Sequence, residues 1–496
     1  MRSSQDEDGS NRQRVNSFPQ GDIQNADEST RLLQSTVSFG PQFAKRDEQI
    51  KGATSGRHGS VELVQSLEVV QKSSGSSWYA SVFLVVNAAL GAGLLNFPQA
   101  YDAAGGVLVA VIVQAVFMVF IVVALILLGY CSDVNQSATY QDVVYSMCGK
   151  AAQNVCSLCI VVYCYGTCIT FFIIIGDQLD RFFYFISGAD FCHYWYMDRK
   201  FTMTLSSVIL ILPMCFPKRI DFLKYSSFFG VVGIAYVVLL IFIKYFTSGI
   251  TPGHIKTKPD NFMDMFLVVP VICFGYQCHV SVVPIYSCLE KRNVKEFSKC
   301  VGVAILICVL TYTLAAAFGY LTFGSNVDAD ILKSYQPTPE VLIGVFLIAA
   351  KTYTTYPILS FCGRAAFMSV WIHWCCLTPD QIVSGEKSRR VLVTLVWFVT
   401  SLVLAVFIPN IGAVISVLGG LAAVFIFVFP GMCLLQVGYL KEAELARWKV
   451  RTMKGMAVAF IVLGAFIFGV TTTQSVSNDV ISASSPRIVH NETICT

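Results

Sequence analysis

Long apolar runs separated by polar loops fill most of the chain beyond residue 76. We place eleven such runs at residues 78–100, 106–130, 152–176, 202–216, 225–246, 263–287, 299–323, 339–361, 391–408, 411–436 and 455–473. A transmembrane helix needs about 20 mostly apolar residues, and only the fourth run is clearly short of this. The pattern therefore predicts an all-α polytopic membrane protein with eleven transmembrane helices.

The first 76 residues have a different composition, rich in Ser, Gln, Gly, Asp and Arg and without sustained periodicity. Such a segment buries too little apolar surface to offset the entropy of ordering it. We predict a disordered tail at residues 1–76, a core of helices 1 to 10 at 77–437, a loop and helix 11 at 438–473, and a C-terminal tail at 474–496. The polar start of the chain shows no signal-peptide pattern.

The whole chain is 55% hydrophobic and only 13% charged, which excludes a soluble protein of this length. It contains no Walker A loop, no nucleophile elbow and no zinc-type cysteine spacing, so we expect neither an enzyme nor a metal site, and no nucleic-acid partner. Most cysteines fall inside the spans, where they behave as small hydrophobes. Only Cys192 and Cys495 lie clearly outside, and whether they pair stays open.

Lys and Arg are distributed unevenly between the two sides of the predicted membrane. Of the 35 basic residues, 26 fall on the side of the N-terminal tail, eight on the other side, and Lys351 lies inside a span. Because cytosolic loops carry the excess of positive charge, we place the N-terminus in the cytosol. The C-terminus, after an odd number of spans, then lies outside the cell or in a lumen, where Asn491 would be glycosylated.

The first apolar run is interrupted at its middle by Gly91, Ala92 and Gly93. Glycine weakens a helix, and in hydrocarbon no water compensates the loss. One interpretation is an unwound hinge, whose amides and half-helix dipole suit a carboxylate and whose carbonyls, with Asn87, suit a small cation. The other interpretation is a face of small residues for close helix packing.

The sixth run carries a second interruption, at Phe274, Gly275, Tyr276 and Gln277, followed by His279. Gln and His are costly in hydrocarbon unless they face a cavity or a partner. Five spans separate the two interruptions, and glycine-broken helices at corresponding positions of two halves indicate an inverted-repeat transporter with a central site. We therefore predict a five-plus-five core with discontinuous helices 1 and 6 and one additional helix.

Seven strings of the chain agree, in order, with one known family. They are GAGLLNFP (91–98), FFIIIGDQLD (171–180), WYMDRKFT (195–202), CFGYQCHVSVVP (273–284), YLTFG (320–324), YPILSFCGRA (356–365) and VISVLGGLAAVFIFVFPG (414–431). The chain resembles the sodium-coupled neutral amino acid transporters, solute carrier family 38, and within it a branch linked to lysosomal export of glutamine and asparagine. The resemblance implies the leucine-transporter fold, alternating access, Na⁺ or H⁺ as the coupling ion and no other cofactor.

The resemblance also implies roles for individual positions. The implied substrate-binding positions are Gly91, Ala92, Gly93, Phe274, Gly275 and Tyr276. Asn87 and Thr355 match positions linked to sodium. Tyr163 and Thr167, one turn apart on the third helix, either complete the pocket wall or form an ordinary polar face between helices.

The chain departs from the family pattern at two places. Cys192 has no cysteine partner at 247–262, so we expect the family's disulfide to be absent. Lys351 lies centrally in the eighth span, on the same face as Thr355, at a cost of about 2.5 to 3.5 kcal/mol unless it meets a cavity or a partner. Either its ammonium occupies or excludes the sodium site and its deprotonation couples transport to protons, or it bonds neighbouring carbonyls without a role in coupling. His279 is a second candidate for proton coupling.

In the tail, Glu28 stands four residues before Leu32 and Leu33, the spacing of a dileucine signal read by clathrin adaptors that sort proteins to lysosomes. Together these features predict a secondary active transporter in a lipid bilayer that exports neutral amino acids, glutamine and asparagine first, from lysosome to cytosol. The plasma membrane is the alternative address. A proton-coupled transporter, a uniporter and an amino-acid sensor that signals through its tail are the alternative functions.

Overall fold

A computed structural model describes residues 76–188, 193–217, 224–375, 378–408, 410–444 and 446–484. Within these ranges the chain forms eighteen α-helices joined by short connections. They are α1 Trp78–Ala89, α2 Gly93–Ala103, α3 Val107–Asn135, α4 Tyr140–Cys148, α5 Lys150–Ser187, α6 Arg199–Ser206, α7 Leu212–Cys215, α8 Lys224–Thr247, α9 Val269–Gly275, α10 His279–Ser287, α11 Val294–Phe323, α12 Ile331–Ser334, α13 Pro339–Trp374, α14 Pro379–Ser384, α15 Glu386–Phe407, α16 Ile411–Ala423, α17 Phe429–Leu440 and α18 Arg447–Ser484.

Most of these helices belong to segments that are long and apolar enough to cross a membrane. Nine helical segments of the described chain meet that criterion, and α1 with α2 forms a tenth span that is bent by 58°. The predicted fourth span consists of α6, a π-helical turn and α7, which are eight, five and four residues long. Length and composition therefore define ten spans, and the eleventh of the predicted set is this shorter segment.

The broken helices lie at the centre of the bundle. We call the membrane side where α1 begins the near side, and the side where α3 begins the far side. All seven residues of α9 are buried, and α9 packs against α16, while α1 and α2 pack against α11. The most extensive contact between two helices joins α5 and α13, which flank this centre. A central position for α1, α2, α9 and α10 places their interrupted backbone away from lipid.

Local sequence signals set several helix ends. The side chains of Thr139, Asn293 and Asp330 each accept a hydrogen bond from a backbone N–H of the following turn and so cap α4, α11 and α12. Each such cap stabilises a helix by about 1 kcal/mol. Gly324 ends α11 with φ +59, and a Cβ there would lie 2.5 Å from the Gly253 carbonyl oxygen. Only glycine fits this close, left-handed turn.

Candidate functional site

The break in helix 1 lies between α1 and α2, at the glycine pair. α1 ends at Ala89, Leu90 has extended backbone with φ −76 and ψ 98, and α2 begins at Gly93. The first amides of α2 have no acceptor within the helix and carry its positive end. A Cβ added to Gly91 would meet nothing within 4 Å, so open space borders the break.

The break in helix 6 lies between α9 and α10. α9 ends at Gly275, and α10 begins at His279. Between them the Cys278 N–H donates to the Tyr276 carbonyl oxygen at 2.9 Å, which marks a tight turn. A Cβ on Gly93 would lie 3.1 Å from the Gly275 Cα. The two breaks therefore touch at their glycines.

Tyr312 of α11 lies between the two breaks. The Gly91 N–H donates to its hydroxyl at 3.3 Å, and this hydroxyl lies 2.8 Å from the Ala89 carbonyl oxygen and 3.0 Å from the Gly275 carbonyl oxygen. The Phe97 ring stacks on the Tyr312 ring, with the centroids 4.4 Å apart. One buried hydroxyl thus contacts the backbone of both breaks, a role that our sequence analysis did not find.

A second buried network holds the side chain of Tyr276. The Gln114 amide on α3 donates to the Tyr276 hydroxyl at 2.8 Å and to the Thr313 hydroxyl at 3.0 Å. Its carbonyl oxygen accepts from the Tyr101 hydroxyl at 2.6 Å. Gln114, another residue that the sequence analysis missed, therefore ties α2, α11 and the helix 6 break together. The side chain of Tyr276 is therefore engaged in this network.

Tyr163 and Thr167 lie on α5 beside the helix 6 break. The Tyr163 ring centroid lies 6.2 Å from that of Phe274 and 5.7 Å from that of Phe425. The Thr167 hydroxyl donates to the Tyr163 carbonyl oxygen at 2.7 Å, within its own helix. Tyr163 thus adjoins the second break with its ring, whereas the Thr167 hydroxyl is used locally.

Lys351 of α13 reaches the break of helix 1. Its Nζ donates to the carbonyl oxygen of Leu90, the residue that follows α1. Its aliphatic chain passes α8 closely, because a Cβ on Gly230 would lie 3.1 Å from the Lys351 Cγ. The Thr355 hydroxyl donates to the Lys351 carbonyl oxygen at 2.7 Å, and Asn87 lies partly buried in the last turn of α1.

His279 is fully buried at the start of α10. The Gln277 side-chain oxygen accepts from the His279 backbone N–H at 2.9 Å and lies 3.2 Å from its Nδ1. The imidazole is therefore bonded to the turn of the helix 6 break itself.

Charged side chains form a second cluster on the far side, which we call the far-side network. Arg199 of α6 pairs with Asp177 at 3.0 Å and with Asp180 at 3.4 Å, both on α5. Lys333 of α12 lies 3.6 Å from the same Asp177. Arg181 donates to two backbone carbonyls of residues 332–335. The network thus fastens α6 and the segment around α12 to the far end of α5.

Asp330 belongs to this network and is fully buried. Its carboxylate accepts from the Gln178 side chain at 2.7 Å and from the Leu332 N–H at 2.9 Å. Burial raises the pKa of Asp330 to about 7, and the neighbouring Asp177 adds to the shift. A carboxyl with this pKa changes its protonation between acidic and neutral pH.

Several predicted residues lie outside the described ranges, so the structure gives no account of them. They are Glu28, Leu32, Leu33, Cys192, Asn491 and Cys495. The buried cysteines of α5, such as Cys164 and Cys168, form no disulfide. No group of three or more metal-ligating side chains occurs in the described part of the chain.

The two central helices of the bundle are broken, and they meet at their breaks. This is the architecture of a transporter. Its fold is similar to that of MhsT, solved in complex with L-phenylalanine, with a TM-score of 0.50 and 12% identity over 80% of this chain and 98% of that one. The predicted leucine-transporter-like fold is thereby confirmed, whereas the inverted repeat stays a prediction.

The chain belongs to the family described as transmembrane amino acid transporter protein, which matches residues 74–476. It is 45% identical to sodium-coupled neutral amino acid transporter 7 of Danio rerio over 82% of this chain and 89% of that protein, and the Homo sapiens protein of that name gives the same three values. It is 34% identical to solute carrier family 38 member 8 of Homo sapiens, over 86% and 99%. The resemblance found in the sequence is confirmed: this is a multi-pass, secondary active amino acid transporter and not an enzyme.

Proposed function

We propose that this protein transports neutral amino acids, glutamine and asparagine first, and that the substrate binds where the two helix breaks meet. The observation that carries the proposal is the contact of Gly93 with Gly275 beside the open space at Gly91. The relatives named as neutral amino acid transporters support the substrate class.

Each end of the substrate has a matching group in this site. The carboxylate accepts hydrogen bonds from the amides that begin α2, at Ala92 and Gly93, where the helix dipole is positive. The ammonium donates to carbonyls at the end of α9, at Phe274 and Gly275, each of which keeps a second lone pair beside the hydrogen bond that it already accepts. Tyr163 forms one wall for the side chain. No covalent step is needed, because movement of the helices exposes the site to one side and then to the other.

The distribution of basic residues supports a cytosolic near side, and the dileucine cluster at Glu28, Leu32 and Leu33 supports recognition by a clathrin adaptor and a lysosomal address. Export would then run from the lumen to the cytosol. In cultured cells, replacing Leu32 and Leu33 by Ala should move the protein from lysosomes to the plasma membrane. An unchanged distribution would contradict the lysosomal location.

Glycosidase treatment should lower the apparent mass of the wild type on a gel but not that of Asn491→Gln. If the treatment changes neither protein, the luminal position of the C-terminus is contradicted.

Uptake of radiolabelled glutamine into proteoliposomes tests the site. A Cβ in Gly275→Ala would lie 2.7 Å from the Phe97 ring, so we expect the two breaks to separate and uptake to fall about tenfold or more. Gly302→Ala is the matched control, because its Cβ meets nothing within 4 Å on α11. Equal uptake by the two variants would contradict a site at the breaks, and wild type that carries no neutral amino acid would contradict the function.

A further inference from the structure

We propose that the Lys351 ammonium is the resident cation at the break of helix 1, so that transport does not require sodium at this position. The inference rests on the proposed function but concerns a separate matter, the identity of the positive charge beside the substrate site. The relatives reported above are named as sodium-coupled, whereas a resident ammonium would make sodium unnecessary at this position of the present chain.

The first step of the argument is the position of the accepting carbonyl. Leu90 follows the last residue of α1, and its backbone is extended. Carbonyls at the end of a helix have no donor within it and carry its partial negative charge. A lysine that served only as an anchor would gain as much from any exposed polar group. Lys351 instead bonds a carbonyl at the end of the broken helix, where the partial negative charge favours a cation.

The second step is the charge balance around Lys351. No carboxylate in the described ranges forms an ion pair with it. Besides the bonded Leu90 carbonyl, its neighbours include Gly230 of α8 and the thiol of Cys308 on α11. The ammonium is therefore stabilised by backbone dipoles, as a bound sodium ion would be. Two monovalent cations do not share this place, because like charges repel each other strongly in a medium of low dielectric.

The third step concerns the two neighbours that the sequence linked to sodium. The Thr355 hydroxyl donates to the carbonyl oxygen of Lys351 itself, so it is used within α13. Asn87 lies one turn before the break, on the helix that ends at the bonded carbonyl. The Thr355 hydroxyl is thus already bonded within α13, and Asn87 belongs to the helix whose end the ammonium binds.

A tethered cation has a mechanistic consequence that a diffusible one lacks. The ammonium links α13 to the end of α1 in the present arrangement, but it is covalently part of α13 and cannot leave with the substrate. A sodium gradient therefore has no ion to drive through this position, and the amino acid gradient or another ion must supply the free energy.

The test compares sodium with choline in two assays on purified protein. The first is glutamine uptake into proteoliposomes, and the second is direct binding of radioactive sodium to the detergent-solubilised protein. For wild type we expect equal uptake in both salts and no saturable sodium binding. In Lys351→Ala, which exposes the Leu90 carbonyl and leaves a space, we expect sodium binding to appear and sodium to stimulate uptake about fivefold or more, in the range of typical coupling between two ligands.

Lys351→Met keeps the volume of the side chain without its charge and serves as the second variant. We expect reduced uptake that sodium does not restore, with an unfolding midpoint close to that of wild type. Saturable sodium binding or sodium-stimulated uptake by wild type would overturn the inference, and so would unchanged, sodium-independent uptake by both variants. A wild type without amino acid uptake would refute the proposed function instead, and the sodium-binding assay would still decide the role of Lys351.

Discussion

Two buried regions of this protein hold charge in different ways. In the far-side network, the side chains of Arg199 and Lys333 form ion pairs with those of Asp177 and Asp180, so these four charges have partners of opposite sign. At the break of helix 1, Lys351 has a backbone carbonyl as its partner and no carboxylate from the described ranges. Charges that are paired side chain to side chain lock helices together. A charge whose partner is a backbone carbonyl at a helix break is stabilised only while that break is present.

From this difference we infer a structural role for the far-side network and propose a functional role for Lys351. Buried ion pairs persist because the loss of one partner leaves the other charge uncompensated. A lone ammonium in a membrane protein is costly and is expected where substrates or ions move. Substitutions in the two regions should therefore separate stability from transport.

The largest effect on stability is expected for Arg199→Met. This change leaves Asp177 and Asp180 close together with Lys333 alone to balance them, and breaking a buried pair in this way costs about 3 to 5 kcal/mol. The unfolding midpoint of the purified protein should fall strongly, whereas that of Lys351→Met should change little. Lys256→Met, which removes an exposed pair with Asp260, is the control and should resemble wild type.

The comparison of the two regions fails if Arg199→Met keeps the wild-type midpoint, or if Lys351→Met loses as much stability as Arg199→Met. In the first case the ion pairs of the far-side network would not be what holds α6 and α12 to α5, and in the second case Lys351 would be a structural residue as well. Measuring glutamine uptake at a temperature well below both midpoints separates a loss of folded protein from a loss of transport.

The sequence alone predicted the helix breaks but not the groups that join them. Gly91, Gly93 and Gly275 are detectable because glycine is expensive at the centre of a span. Tyr312 and Gln114 give no such signal, since a single polar residue in an apolar run is common in helix bundles. Their partners lie far along the chain, as the separation of 221 residues between Gly91 and Tyr312 shows. Such contacts follow from tertiary packing, which periodicity does not encode.

Lys351 shows which features of a site the local sequence can predict and which it cannot. Its charge, central in a span, predicted a partner or a cavity, and its spacing from Thr355 predicted a shared face. The partner itself, the Leu90 carbonyl, required the structure. The far-side network was not predicted. Charged residues near the end of a span are common, and their partners around α12 are brought close only by the tertiary structure. The short fourth span was visible from its length.

The smaller effect on stability is expected for Asp330→Asn, and it depends on pH. The folded-state pKa of Asp330 is raised from 3.8 to about 7, chiefly by burial, so folding favours the protonated carboxyl. That contribution to stability is fully present below about pH 4 and is lost as the pH rises through about 7. An acidic compartment would therefore strengthen the attachment of α12 to α5, and a neutral one would weaken it.

The side-chain amide introduced by Asp330→Asn resembles the protonated acid, because its oxygen still accepts from the Leu332 N–H and its NH₂ group can donate to the Gln178 oxygen after the Gln178 amide rotates. Between about pH 5 and pH 8 wild type should lose about 1 kcal/mol or more relative to Asp330→Asn, since one pKa unit corresponds to about 1.4 kcal/mol. Unfolding midpoints measured across this range check the prediction. Asp260→Asn is the control, because Lys256 lowers the pKa of Asp260 and keeps it ionised throughout. Parallel pH profiles for wild type and Asp330→Asn would mean that Asp330 stays ionised in the folded protein across this range and that burial does not raise its pKa.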